Sequence, residues 1–258
     1  GLGLLTFSAY HYRHQFELLR RAFRVTDEEV VADAQQSVER DDLAPPPPLQ
    51  LQVSPLLAQT LGGHNLEARV VEVAQRLREE YGVPVPVPSL RIVPALGEDE
   101  YRLTAFGARI ATGRLRSDAM LEPQPDTAAN ASKLAGFYPA VVAGEWVQTP
   151  SETTQAPLDV LGNHAASAIR RRMGGFLGIQ ETSNLFAKMQ RDYPDLVKEM
   201  LRVVAPQRVA DVLRRLSEEG VPVRNLRDAF EAITDVGGRE KDVVLLTEYV
   251  RVALKREI

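Results

Sequence analysis

The chain has no cysteine, which excludes a disulfide framework, a thiolate metal site and a cysteine nucleophile. That absence also fits a reducing compartment. There is no Walker-type glycine loop, no GxSxG elbow and no HExxH helix, so the local signatures of nucleotide binding, serine hydrolysis and zinc proteolysis are missing. Charge of one sign is missing too: 31 Lys and Arg stand against 35 Asp and Glu, a net charge of −4. With the signs interspersed, no global basic field favours nucleic acid or an anionic membrane surface, and proteins are the expected partners. The uncharged opening GLGLLTFSAY stops at Tyr10, well short of the roughly 20 apolar residues that cross a bilayer.

What is present suffices for a core. With 258 residues, 44% of them hydrophobic, the chain can fill one large or two ordinary domains. Its apolar opening turns abruptly into HYRHQFELLRRAFR. One reading is a locally packed N-terminal helix. The other is the end of a membrane helix at residues 1–11, with Arg13, Arg20, Arg21 and Arg24 on the cytoplasmic side, as the positive-inside rule expects. A secretory leader would carry its charges ahead of the apolar stretch. Residues 12–48 read as a linker, acidic from Asp27 to Asp42 and ending in four prolines, Pro45 to Pro48, which make an extended, semi-rigid spacer.

From Leu49 the pattern changes. Leu49, Leu51 and Val53 alternate with Gln50 and Gln52, as a half-buried strand requires. Leu66, Val70, Val73, Ala74 and Leu77 form a helical stripe that stops at Tyr81-Gly82, and proline-punctuated Val83 to Pro88 leads into a second strand at Leu90 to Val93. Strand, helix, strand opens an α+β layer. Glu100 to Ala105 and Arg109 to Gly113 predict a hairpin turning at Phe106-Gly107. Asp118 to Lys133, rich in Pro, Ala, Asn and Asp, predicts mainly loop, after which Val141, Val142, Trp146 and Val147 return to strand composition. Leu158 to Met173 predicts a helix ending in three arginines and broken by Gly174-Gly175.

The last third is a helical module. Val209, Val212, Leu213 and Leu216 recur on one face of a helix, and Leu226, Ala229, Phe230 and Ile233 repeat the pattern. Pro194 and Pro206 sit where a first turn tolerates a missing N–H, Asn225 is placed to cap, and Gly220 and Gly237-Gly238 mark stops. Four blocks in this region carry a resemblance: Gly178 to Thr182 (GIQET), Tyr193 to Val197 (YPDLV), Glu219 to Arg227 (EGVPVRNLR) and Glu248 to Ile258 (EYVRVALKREI). They resemble the third cytoplasmic subdomain of the type III secretion export-gate family (FHIPEP), which comprises SctV in injectisomes and FlhA in flagella. The GIQET wording favours the injectisome branch. Upstream, Tyr81 to Pro86, Leu90 to Ile92 and Glu100 to Leu103 resemble the first subdomain of the same family.

The resemblance implies an α+β fold. A split α/β first subdomain (residues 49–99 and 148–176) would hold a small inserted α/β subdomain of ferredoxin or RRM-like type (100–147), followed by an all-helical third subdomain (177–258). Relatives add a multi-helix membrane half before this region and a fourth cytoplasmic subdomain after it; of these the sequence holds only the membrane-helix end. The implied function is export-gate recognition and gating, with no bond chemistry and no cofactor. The part on the cytoplasmic side of the bacterial inner membrane would form a homo-nonameric ring, receive chaperone–substrate complexes and meet other export-apparatus and ATPase-complex proteins. In flagellar relatives a hydrophobic dimple between the first two subdomains receives chaperones. Its nearest counterparts are Phe137, Tyr138, Val141 and Trp146, although Tyr138-Pro139-Ala140-Val141 stands where relatives carry a Pro-Ala-Phe type motif. For the ring, Arg170, Arg171, Arg172, Arg208, Arg214 and Arg215 would oppose Glu218, Glu219 and Glu231.

His11 and His14 have a metal-compatible spacing but more simply decorate an interfacial helix, and His164 reads as a structural helix residue. Gln180-Glu181 reads as a polar first turn, where an acid meets the helix dipole favourably, more readily than as a catalytic carboxylate. The alternative function is a helix-turn-helix DNA-binding regulator using Arg170 to Arg172 and Arg214-Arg215. Against it, Glu218-Glu219 follow the second arginine pair closely, whereas phosphate binding needs uncompensated cations.

Overall fold

The computed structural model describes residues 45–122 and 144–255. The expected membrane-helix end at 1–11 and almost all of the linker at 12–48 lie outside the described residues, as do Phe137, Tyr138 and Val141. Among the described residues no helix is long and apolar enough to cross a membrane. The chain divides into two units, Gly1–Pro46 and Pro47–Ile258, and every element below belongs to the second.

The first strand, β1 (Leu49–Val53), becomes the centre of a four-stranded sheet of order β2-β1-β3-β4. It runs parallel to β2 (Ser89–Ile92) and antiparallel to β3 (Glu100–Ala105), so Leu51 sits between Leu90 and Leu103. Leu49, Leu51 and Val53 are buried as their alternation predicts, but Gln50 on the opposite face is only 7% exposed. Its cross-strand neighbours are Ser89 and Thr104, and Gln52 donates to its side-chain oxygen at 3.0 Å. A central strand is flanked on both sides, so polar partners there replace water.

Between β1 and β2 the chain passes through a turn at Pro55–Leu57, capped by Ser54 Oγ accepting from the Leu57 N–H, and a π-helical stretch Ala58–Gly62 into α1 (Gly63–Tyr81). The expected stripe of α1 is buried. Gly82, in the left-handed region at φ 71°, ends the helix by donating its N–H to the Arg78 carbonyl. The predicted hairpin is present: β3 turns through Phe106 (φ 50°) and Gly107 (φ 79°) into β4 (Ala108–Arg114), the twist of a primed two-residue turn.

Two features differ from the sequence-based expectation. The boundary placed at Glu100 falls inside the first sheet, because β3 pairs with β1 along its whole length; strand pairing is non-local and local periodicity cannot reveal it. Within the stretch expected as loop from Asp118, residues Met120–Glu122 form β5, which pairs antiparallel with β6 (Glu145–Val147). So short a strand is held by its partners more than by its own propensity.

Helix α2 (Pro157–Arg170) closes the first lobe, packing on α1 and β4. It has Pro at its first position. Gly162 admits the Arg69 guanidinium, whose Nε would lie 2.5 Å from an added Cβ, and Arg69 pairs with Asp159 at 2.9 Å. The helix ends at Arg170, and Gly174-Gly175 enter a 3-10 turn, Met173–Phe176.

Five helices follow: α3 (Ile179–Asp192), α4 (Pro194–Val203), α5 (Pro206–Glu218), α6 (Leu226–Gly237) and α7 (Val243–Leu254). Pro194 and Pro206 occupy first-turn positions, Asn225 caps α6 by accepting from Asp228 N–H, and Asp242 caps α7. Helix α5 is the central element, packed on α3, α7 and the 3-10 turn, with Val209, Val212, Leu213 and Leu216 inaccessible to solvent. Phe230 of α6 meets Phe186 of α3 edge-on at 5.7 Å. Bare backbone joins the module to the first lobe. Val223 N–H donates to the Tyr81 carbonyl at 2.8 Å, Gly82 abuts the Arg224 main chain, and Gly174 lies under Glu218 and the Arg214 carbonyl. One continuous core results.

Candidate functional site

The β5–β6 ribbon is anchored at its base. Leu121 faces Trp146 across the ribbon, and on its other side exchanges two main-chain hydrogen bonds, of 2.9 and 2.8 Å, with Gln155. Gly144, at φ 151°, brings the chain so near β5 that a Cβ would fall 2.6 Å from the Glu122 carbonyl oxygen. This places Trp146, half-buried against the core, beside the end of β4. The space between is a cleft of about 360 Å³ lined by Glu100, Thr112, Gly113, Arg114, Leu121, Gly144 and Trp146.

The walls differ in chemistry. On the ribbon side stand Leu121 and the indole. On the sheet side, Glu100 accepts from Arg102 at 2.8 Å and from the Gly97 N–H at 3.2 Å. Burial alone would raise the Glu100 pKa, but the Arg102 hydrogen bond, the Gly97 amide and the charges of Arg102 and Arg114 outweigh it and hold the carboxyl below its ordinary 4.5. Gly113 forms part of the wall because Tyr101 lies behind it, with the phenol oxygen 2.6 Å from where a Cβ would sit. Tyr101, 1% exposed, shares a 2.5 Å hydrogen bond with His164 Nδ1, and burial pushes its phenol pKa up. His164 is thus a buried helix residue, as expected. The cleft offers an apolar wall, a hydroxyl, one carboxylate and one cation. Among the described residues, no group of three or more His, Asp or Glu is placed to hold a metal.

Of the expected docking residues, Trp146 lies in this cleft. Reading the sequence missed Glu100, Thr112, Gly113, Arg114, Leu121 and Gly144. The available signal was Gly113, an isolated glycine inside a strand, which marks a close approach.

The expected ring charges are dispersed; four of the nine are in ion pairs within the chain, and a fifth, Arg208, is hydrogen-bonded to a main-chain carbonyl. Arg170 lies 3.7 Å from Glu80, and Arg208 donates to the Glu240 carbonyl at 2.6 Å. Arg214 pairs with Asp211 at 3.0 Å and reaches the Leu177 carbonyl. Glu219 pairs with Arg251, and Glu231 with Arg227 at 3.0 Å. Arg171, Arg172, Arg215 and Glu218 make no ion pair among the described residues. The pairing of Arg214 also leaves the α5–α6 corner, where a helix-turn-helix would present its basic pair, with one of those two charges neutralised. Gln180 and Glu181 occupy the first turn of α3.

Comparison with known proteins identifies the architecture. The chain is 31% identical over 235 residues to the Low calcium response locus protein D of Yersinia pestis, covering 85% of this chain and 33% of that protein. It is 32% identical over 250 residues to the secretion system apparatus protein SsaV of Salmonella typhimurium, with coverages of 89% and 34%. To the flagellar biosynthesis protein FlhA of Bacillus subtilis it is 31% identical over 274 residues, with coverages of 99% and 40%. It therefore spans about a third of its curated relatives, and identity alone does not separate the injectisome and flagellar branches. Among solved structures, the Chlamydia pneumoniae CdsV–CdsO complex matches with a TM-score of 0.69 at 26% identity, covering 84% of this chain and 69% of the matched one. The nonameric SctV-C of EPEC matches with 0.61 at 25%, covering 81% and 66%. The α+β architecture, the relatives and a family model that matches residues 2–258 lead to one conclusion: the chain belongs to the FHIPEP family, whose named relatives here are components of type III secretion and flagellar export systems.

Proposed function

We propose that this chain is part of the cytoplasmic portion of a bacterial type III export gate, and that it docks chaperone-bound export substrates in the cleft between the end of β4 and the β5–β6 ribbon. The observation that carries the reading is the position of Trp146. The only tryptophan of the chain lines an open cleft with part of its surface exposed, and tryptophan is the residue type most enriched at energetic centres of protein interfaces. Family membership supplies the context, an export apparatus in the inner membrane whose substrates arrive from the ATPase side. The nonameric relative supports a homo-nonameric ring, and the CdsV–CdsO complex supports contact with another secretion-apparatus protein. A ring presents many weak sites at once, so each remains reversible while the effective concentration at the pore stays high. With Arg170, Arg214, Glu219 and Glu231 in ion pairs within the chain and Arg208 hydrogen-bonded to a carbonyl, ring contact draws on Arg171, Arg215 and Glu218.

Titration of the chain with a purified chaperone–substrate complex from the same bacterium tests the docking site. Trp146→Ala, in a variant with unchanged melting temperature, is expected to weaken binding by at least about tenfold, some 1.4 kcal/mol. Binding that ignores the substitution, or no binding by the unaltered chain, overturns the assignment.

A further inference from the structure

We propose that a second groove, between the tip of the β3–β4 hairpin and the 3-10 turn, takes a short acidic peptide segment of a partner polypeptide through one large apolar side chain flanked by carboxylates. It has a volume of about 230 Å³ and is lined by Ala105, Phe106, Ala108, Arg172, Gly175 and Phe176. It shares no residue with the Trp146 cleft, so it stands apart from the function proposed above.

Three observations converge on this groove. Phe106 is the one non-glycine residue with positive φ among the described residues, at a turn position that favours Asn, Asp or Gly. It is also 50% exposed. An aromatic here eases neither the turn nor the core, and backbone strain of this kind is retained where surroundings or function demand it. Its ring stands 5.8 Å from the buried Phe176 at 41°, giving two aromatic walls. At Gly175 the backbone is uncovered: outside the adjoining residues, an added Cβ would meet no atom within 4 Å.

Charge complementarity selects the occupant. No carboxylate lines the groove. Arg172 at its rim is exposed, and its hydrogen bonds, like those of the preceding Arg171, are main-chain ones; neither guanidinium is in a side-chain hydrogen bond or ion pair among the described residues. Glu218, whose side chain lies over Gly174, is in ion-pair contact with neither. A free guanidinium beside aromatic walls suits a carboxylate next to an apolar side chain, because arginine can bind the acid bidentately. A basic segment would be repelled. This use of Arg172 removes it from the charges available for ring contact.

The test uses the full 258-residue chain and fluorescein-labelled peptides followed by anisotropy. The peptide DDEFEDD is expected to bind saturably, with KKRFRKK and DDEAEDD weaker by at least about tenfold. Gly175→Leu places its side chain where space is open, so it should melt like the unaltered chain while losing the peptide. Should it melt early, Phe106→Asn, which suits the turn better than phenylalanine, gives the same reading. Arg172→Ala should weaken binding and flatten its salt dependence, whereas Trp146→Ala should leave it intact. Absence of saturable binding, equal binding of the basic peptide, full binding by folded Gly175→Leu, or loss of binding in Trp146→Ala would each overturn the proposal.

Discussion

Substituting Gly82 by alanine should loosen the helical module from the first lobe. Two separate costs arise. At φ 71° an alanine sits in the left-handed region at a cost of about 1 kcal/mol. Its Cβ would also lie 2.4 Å from Arg224 Cα and 2.6 Å from Arg224 N, and main-chain atoms cannot rotate away as a side chain would. Relief requires the segment entering α6 to retreat by more than an ångström, which stretches the 2.8 Å bond from Val223 N–H to the Tyr81 carbonyl. Overpacking costs about 1–3 kcal/mol and a main-chain hydrogen bond about 1. Together the losses reach about 3–5 kcal/mol, a large share of the 5–15 that usually holds a domain. For a chain of this size that lowers the melting temperature by roughly 10 °C. Thermal unfolding followed by circular dichroism measures the loss, and hydrogen exchange at the Val223 amide locates it. Gly82→Asn separates the causes, since asparagine tolerates positive φ yet keeps the Cβ, and it should be nearly as damaging. Gly175→Ala, with open space around its Cβ, is the control. A Gly82→Ala chain melting within about 2 °C of the original, or showing unchanged Val223 protection, would refute the reasoning.

Two further outcomes follow from the core and the cleft. Phe230→Ala, at a side chain with no solvent exposure that meets Phe186 edge-on, should cost about 3–5 kcal/mol in urea unfolding; a loss below about 1 kcal/mol would mean the module repacks freely. The folded-state pKa of Glu100 is lowered, so its stabilisation is present above the unfolded carboxylate pKa and is lost as pH falls through the folded value. Glu100→Gln should therefore flatten the acid limb of the stability curve below about pH 4.3, and an unchanged limb in urea midpoints taken across that range would contradict it.

Much of the fold was legible because local chemistry agreed with it. The stripe from Leu66 to Leu77, the left-handed stop at Gly82, the turn at Phe106-Gly107, the first-turn prolines Pro194 and Pro206 and the Asn225 cap are all properties of a few neighbouring residues. What escaped depends on distant partners. Pairing of β3 with β1 moved a boundary away from Glu100, β5 exists because residues some 25 positions later lie beside it, and Gln50 is buried by its place in the sheet. The site was legible only in Trp146, because the other cleft walls come from β4 and β5, whose proximity no local pattern encodes. The arginines expected to serve the ring could not be sorted by sequence either: Arg170, Arg208 and Arg214 have partners within the chain, set by neighbours that local pattern does not specify.

The pair of hydrogen bonds between Leu121 and Gln155 makes the ribbon a lever instead of a flap. Gln155 lies just ahead of Pro157, where α2 begins, and α2 is tied to α1 through Asp159 and Arg69. A pull on the indole of Trp146 therefore runs along hydrogen bonds in series from ribbon to helix pair, and cargo held there would strain the frame of the first lobe before it could peel the ribbon away.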